Sequence, residues 1–274
     1  MSENSSLLKY EVSIDGSFLF DLGFLYGKKR DDGGQNLEIL SWNAGGFDEN
    51  KDGDERLERF LDFIEVYCPD VFAIIDASSY SEKKTKIRQK FSTYNYEVEF
   101  LERGRLNSSG MIIGIQNIHK YRFRIIKEME DFDNLEMVKV AITKDKSICS
   151  LIFLYNPPRN CGKLNLIEYN NKTIIIGDFN CRHTNYGYGH NSGFGKKLTK
   201  FFKNKNFVRV DSLKENDFTF KSYKGTKTNP DLVFCHGDLS GYVSQKTVGM
   251  IDEYGHQIMR VKLPYSILTL LSKD

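Results

Sequence analysis

The sequence predicts an α/β or α+β sandwich: two β-sheets packed face to face, with helices outside. Three observations lead there. Short apolar runs rich in β-branched residues recur from Leu37 onward, namely LEIL, VFAII, GMIIGIQ, MVKVAI, SICSLIFLY, TIIIG, DLVFC and QIMRVKL. Their length and branching read as strands. Helical spacing of apolar residues is confined to two stretches, Leu57, Phe60, Leu61 and Ile64, then Leu198, Phe201 and Phe202. Finally, 274 residues with 40% hydrophobic content can bury one large core, and many Phe and Tyr with few prolines suit packed sheets.

In chain order, residues 1–36 form an N-terminal extension and linker. YEVSIDGSFLFDLGFLY places Asp15-Gly16 between apolar stretches, a hairpin signal, and GKKRDDGGQN (27–36) is a charged, glycine-bearing break. Residues 37–274 then form one domain, without internal repeats. Trp42 is assigned to the core. A net charge of +2 neither demands nor forbids a nucleic-acid partner. The five cysteines are scattered, odd in number and without a CxxC pair, so they read as reduced thiols and not as a disulfide frame or zinc site. MSENSSLLKYEV lacks the basic and apolar regions of a signal peptide, and no apolar run approaches spanning length. A soluble, intracellular protein (nuclear or cytoplasmic, not secreted) is expected, with no membrane partner.

The polar residues fall at strand ends. LEILSWN delivers Asn43, VFAIID delivers Asp76, LIFLYNPP delivers Tyr155, and TIIIGDFN delivers Asp178 and Asn180; Asp231 precedes LVFC, and His256 precedes QIMRVKL. Singly, each reads as a turn or cap residue. As an ordered set they converge if strands leaving and strands entering share one edge of the sandwich, which is how loop-borne sites are built on rigid strands. The chemistry of the set is coherent. Asp76 and Asp178 supply hard oxygens suited to Mg²⁺ or Mn²⁺, while Asn43 and Asn180 can hold a carboxylate, water or phosphate oxygen. A His256–Asp231 pair orients the imidazole and raises its basicity. Together these describe phosphate-ester hydrolysis.

The order of LSWNAGG, PDVFAII, SSGMIIGIQ, YNPP, IIIGDFN, NPDLVFC and GHQIMRV resembles the exonuclease–endonuclease–phosphatase superfamily, over roughly Leu37 to Leu263. The run GDFNCRHTNYGYGHNSGFGKKLTKFF, followed by DFTF and NPDLVFC, looks most like the apurinic-type endonuclease domain of non-LTR retrotransposons. The resemblance implies a four-layer α/β sandwich of two mixed β-sheets flanked by helices. It implies Asn43 and Asp76 at a Mg²⁺ (or Mn²⁺) site, Tyr155 on the scissile phosphate, Asp178 and Asn180 on the attacking water, and Asp231 orienting His256. His183, Tyr186 and Gly187 match the run after the catalytic strand, and Arg182, His183 and Tyr186 are assigned to substrate binding; His183 more readily shapes the loop than does chemistry.

The sequence also departs from the family pattern. Asp76 stands where a glutamate is usual, Tyr254-Gly255-His256 where Ser-Asp-His is usual, and Tyr186 where a Trp is usual; Asp252 and Glu253 are candidates to replace the lost carboxylate. Arg159 to Lys172 is too short for the long helix of many relatives. Arg103, Arg105, Arg159, Arg182, Lys196, Lys197, Lys221, Lys224 and Lys227, interleaved with Tyr and Phe, could track a DNA backbone or form a solvated surface. The expectation is a metal-dependent DNA endonuclease that nicks to leave a 3′-hydroxyl. A weakened or inactive nucleic-acid or protein binding module is the alternative, and a phosphatase of small substrates a third. No polymerase region follows Asp274, so an isolated domain, a fragment or a domesticated copy is expected.

Overall fold

The structure is a computed structural model that describes residues 34–46, 51–77, 83–102, 110–117, 122–126, 135–144, 147–158, 163–164, 167–210 and 218–270. The expected N-terminal hairpin, residues 27–33 of the expected linker, and Arg103, Arg105, Arg159 and Cys161 lie outside them, while Asn36, the last linker residue, opens the first strand. The elements are β1 (Asn36–Asn43), α1 (Lys51–Tyr67), β2 (Val71–Ile75), α2 (Lys84–Thr93), β3 (Tyr96–Glu102), β4 (Gly110–Gln116), β5 (Arg122–Ile126), β6 (Glu136–Lys144), β7 (Ser147–Tyr155), β8 (Thr173–Asp178), α3 (Gly193–Asn204), β9 (Phe207–Arg209), β10 (Phe220–Lys221), β11 (Lys227–Thr228), β12 (Asp231–His236), β13 (Ser244–Met250), β14 (Gly255–Pro264) and α4 (Tyr265–Leu270).

One sheet has eight strands in the order β11-β10-β14-β1-β2-β4-β3, with β13 also on β14; the second has six, in the order β5-β6-β7-β8-β12-β9. Each is mixed for the same reason. A parallel pair, β1 with β2 in one and β7 with β8 in the other, lies inside otherwise antiparallel neighbours. Hydrogen bonds from Asn43 to Asp178 and from Tyr155 to Asp76 bring the carboxyl ends of all four parallel strands to one rim.

Alternation along the strands builds the layers. Leu37, Ile39, Val71, Ala73 and Ile75 of the first sheet meet Val138, Val140, Leu151, Phe153, Ile174, Ile176 and Val233 of the second in a core between the sheets. The intervening residues face outward. Leu40, Trp42, Phe72 and Ile74 pack against Leu57, Phe60, Leu61 and Ile64 of α1 and Ile87 and Phe91 of α2. On the far side Ile152, Leu154, Ile175 and Phe234 pack against Phe194, Leu198 and Phe202 of α3. The result is helix, sheet, sheet, helix, four layers as expected. Each fully buried Leu, Ile or Phe contributes about 1.5–3 kcal/mol on transfer from water. Trp42 is core, stacked on Phe60 with centroids 5.3 Å apart.

The eight expected strands are present within a few residues of their predicted limits, as are both expected helices. Helices α2 and α4, and strands β3, β5, β9, β10, β11 and β13, were not foreseen. In α2 the buried residues are Ile87 and Phe91 in a lysine-rich stretch, too few for a helical stripe to stand out. The short β9 and β10 form on the longer β12 and β14, and β11 pairs with β10 alone. No helix among the described residues is long and apolar enough to cross a membrane. Cys68, Cys149, Cys181 and Cys235 are free thiols.

Candidate active site

The site grows from strand register. Glu136 of β6 pairs with Tyr155 of β7, Tyr155 with Asp178 of β8, and Asp178 with Asp231 of β12. Neighbours in register share a face, and this face is the inner one, since Val138, Phe153, Ile176 and Val233 lie two residues along. Four polar residues thus form one row at the rim of the intersheet slot. Opposite them the first sheet ends in Asn43, which follows inward-facing Ile39 by four positions, and in Asp76, directly after Ile75.

The chain must turn sharply here. Asp76 and Asn180 adopt left-handed backbone, with φ of 51° and 42°, a conformation that Asp and Asn tolerate better than most residues. Asp178 secures its own turn: Oδ1 accepts from the Asn180 N–H at 2.8 Å. Its Oδ2 accepts from Asn43 Nδ2 at 2.8 Å and Asn180 Nδ2 at 2.9 Å. The turn role and the site role coexist on two oxygens of one carboxylate. Gly177, one residue earlier, has no room for a side chain, because a Cβ there would stand 1.8 Å from the Leu154 carbonyl oxygen.

His256 bridges the sheets. Its strand, β14, belongs to the first sheet, yet Nδ1 bonds Asp231 Oδ2 of the second at 2.8 Å, and Nε2 lies 4.0 Å from Asp178 Oδ2. Asp231 is itself held by its N–H donating to Thr219 Oγ1 at 3.1 Å. Burial alone would lower the His256 pKa, but the charge and hydrogen bond of Asp231, then Asp178 and Asp76, raise it to about 9. Burial, and after it the charge of Asp231, pushes Asp178 up to about 7 against the opposing pull of His256 and its hydrogen bonds. Tyr155 donates to Asp76 Oδ2 at 3.1 Å, and burial followed by the charges of Asp76 and Asp178 keeps its phenol protonated. Burial also raises Asp76.

The donor set fits an oxygen-seeking divalent cation on the Asp76 side. Among the described residues no hydrogen bond reaches Asp76 Oδ1, and Asn43 Oδ1, which accepts from Gly45 N–H at 2.8 Å, keeps a second lone pair. Asp178, Asp231 and His256 also place ligand atoms within 4.8 Å of one another. There the oxygens are already taken up by two amides and an imidazole, so that group is better occupied by the proton of His256. Asp252 does not replace the carboxylate absent at Gly255, for it pairs with Arg56 at 2.7 Å beside α1. Glu253 is exposed.

The substrate-binding expectations divide. The Arg182 side chain is exposed, its NH1 3.5 Å from His190 Nε2. His183 caps a 3-10 turn over Thr184–Tyr186 by accepting from the Asn185 N–H, a loop-shaping role. Tyr186 is turned the other way: it is 3% exposed, packs with Phe234 in the outer core and bonds Thr199 at 2.9 Å. Its aromatic bulk anchors the loop on the sheet, and it also lines a surface pocket with Thr199, Lys203, Arg209 and Phe234. Two residues of the site escaped the sequence reading. Asn156, fully buried, donates to the Phe179 carbonyl at 2.9 Å and accepts Asn180 Nδ2 on its own carbonyl at 3.0 Å, so it braces both sides of the Asp178 turn. Its signal in the sequence is its place in YNPP, directly after Tyr155 at the close of an apolar run. Glu136, 2% exposed, announces itself only as a charge opening an apolar run.

Residues 150–252 match the family described as Endonuclease-reverse transcriptase. No curated protein sequence matches the chain. Among solved structures, the endonuclease domain of TRAS1, a telomere-specific non-LTR retrotransposon, superposes with a TM-score of 0.60 at 13% identity, covering 83% of this chain and 98% of that one. The AP endonuclease LMAP from Leishmania major gives 0.61 at 12% identity, covering 84% and 88%. D. rerio TDP2, complexed with single strand DNA product, gives 0.54 at 14% identity, covering 83% and 98%. The chain has the fold of the exonuclease–endonuclease–phosphatase superfamily and is similar to the endonucleases of non-LTR retrotransposons.

Proposed function

We propose that the chain is a metal-dependent phosphodiesterase, and specifically a DNA endonuclease that nicks one strand to leave a 3′-hydroxyl. The observation that carries this reading is the facing pair of Asp178 and the Asp231-bound His256, 4.0 Å apart across the slot. An imidazole held at about 9 is cationic at neutral pH and can donate from Nε2 to a phosphoryl oxygen as charge develops there. Asp178, held near 7 by burial and Asp231, is poised to take a proton from water, while the Asn180 and Asn43 amides fix its orientation. Tyr155, kept protonated, offers its hydroxyl to a phosphate oxygen in place of Asp76. Asp76 with Asn43 would hold Mg²⁺ or Mn²⁺, which when bound supplies Lewis-acid polarisation of the phosphate.

DNA as substrate is supported by the hairpin beside the site. Strand β10 pairs Phe220 with His256 and Lys221 with Gly255, and the β10–β11 hairpin exposes Tyr223, Lys224 and Lys227. Cations next to aromatic rings suit a nucleic-acid backbone. The test is plasmid nicking with Mg²⁺ by the parent chain and by Asp178→Ala. Nicked circles from the parent alone support the reading, and equal behaviour of the two removes it. One observation favours a second reading, a binding module with a weakened centre: Asp252 is committed to Arg56, so the carboxylate lost at Gly255 has no substitute there. DNA binding without nicking, at any Mg²⁺ or Mn²⁺ concentration, would select it.

A further inference from the structure

Two rim loops carry groups of the proposed reaction, and one side chain that takes no part in it grips both. The first loop leaves β1, where Ala44, Gly45 and Gly46 follow Asn43; the second, Ile251 to Gly255, leads into His256. Gly45 and Gly46 take left-handed backbone, with φ of 61° and 83°, a region that glycine enters as readily as any other. Such a pair is loose unless something restrains it, yet Asn43 depends on it. Asn43 Oδ1 accepts from the Gly45 N–H, and its Nδ2 donates to Asp178.

Arg56 of α1 supplies the restraint. Its Nη2 donates to the Ala44 carbonyl at 2.5 Å and its Nη1 to the Gly46 carbonyl at 2.8 Å, while Nε lies 2.7 Å from Asp252 Oδ2 in the second loop. The guanidinium also lies over Trp42, 5.3 Å from the ring centroid. The Gly46 N–H in turn donates to the Asp76 carbonyl at 2.7 Å, so the grip extends to the residue proposed for the cation. A rigid planar fork fixes two carbonyls and a carboxylate at set angles, which a point charge on a flexible stem does less well. Arg59, one turn on, holds the second loop alone: its Nη1 donates to the Ile251 carbonyl at 2.9 Å, and among the described residues no hydrogen bond joins it to the first. A half-exposed ion pair adds little stability by itself. A displacement of about 1 Å at reacting groups, by contrast, costs about 10²-fold in rate.

We propose that Arg56 is a positioning residue for phosphodiester hydrolysis, setting the separation between the Asn43–Asp76 side of the slot and the His256 side. This rests on the phosphodiesterase reading and deepens it. The test compares Arg56→Gln and Asp252→Ala with the parent, each as the full chain, by plasmid nicking with Mg²⁺ and by NMR of the metal-free protein. Well below its melting temperature, Arg56→Gln should nick with kcat lowered about ten-fold and an unchanged KM for the plasmid. Its Asn43 side-chain amide and His256 ring signals should both move. Asp252→Ala frees the second loop alone, so it should move the His256 signals and leave those of Asn43. Arg260→Gln is the control for lost stability, because Arg260 pairs with Glu38 toward the start of β1, away from the rim. Its melting temperature should fall while kcat stays. Parental kcat in Arg56→Gln, unmoved Asn43 signals, or an equal fall of kcat in Arg260→Gln overturns the positioning role and leaves the nuclease reading standing. A parent that does not nick removes the nuclease reading, and the NMR signals still decide whether Arg56 holds the two loops.

Discussion

His256 Nε2 lies 4.0 Å from Asp178 Oδ2, although the two residues belong to different sheets. Asp231 makes this closeness possible. It stands in register with Asp178 and bonds the other imidazole nitrogen at 2.8 Å, so one acid fixes the ring that faces the second.

Asp231→Asn should therefore release His256. Burial, which lowers the pKa, would act with less opposition, and the imidazole should titrate well below its present value of about 9. Following the ring protons by NMR measures this directly. Plasmid nicking should fall by about 10²–10⁴, the scale of a lost acid–base group. An unchanged His256 titration would show that Asp231 does not set its basicity.

Metal-free protein should lose stability as pH rises. His256 is raised from 6.5 to about 9, so its contribution is complete below 6.5 and disappears as pH passes through about 9. Asp178 is raised from 3.8 to about 7, and its contribution likewise disappears on the way up through about 7. Thermal melts should shift downward between pH 5 and pH 9.5, to about that span. His256→Gln should flatten the part of the curve above 6.5. A melting temperature rising across this range would contradict both assignments.

Gly177→Ala should destabilise the fold by about 3 kcal/mol, because the added carbon overlaps backbone that cannot rotate away. The clash is with the Leu154 carbonyl of β7, the strand that also carries Tyr155. Denaturant unfolding measures the loss. A variant as stable as the parent would mean that β7 and β8 can separate without cost.

The two departures from the family pattern should behave differently when reversed. Gly255→Asp forces a side chain onto a backbone with φ of 112°, and should lower stability by about 1–3 kcal/mol whatever it does for a cation. Asp76→Glu lengthens the proposed ligand, at a φ of 51°, and should tighten Mn²⁺ binding, read by calorimetry on the full chain. If only Gly255→Asp tightens binding, the cation sits nearer residue 255 than residue 76.

Eight of the strands were readable because burial on both faces leaves continuous β-branched runs, such as Ile174, Ile175 and Ile176. The sequence by itself also placed Asn43, Asp76, Tyr155, Asp178, Asn180, Asp231 and His256 at strand ends, since a polar residue at the close of an apolar run marks where the chain reaches the rim. It did not reveal α2, whose two buried residues make no stripe, or the short strands β9 to β11, which form only where β12 and β14, and in turn β10, offer hydrogen bonds.

Tertiary structure decided which rim residues face the slot and which do not. Tyr186 looked like its neighbours in sequence yet turned into the outer core, and Asp252, a nearby acid, was drawn off by Arg56. Asn156 and Glu136 became site residues through register with residues on other strands. The physical reason is that side-chain direction depends on pleat, register and competing partners, all set by chain segments distant in sequence, whereas burial periodicity is written locally in each run.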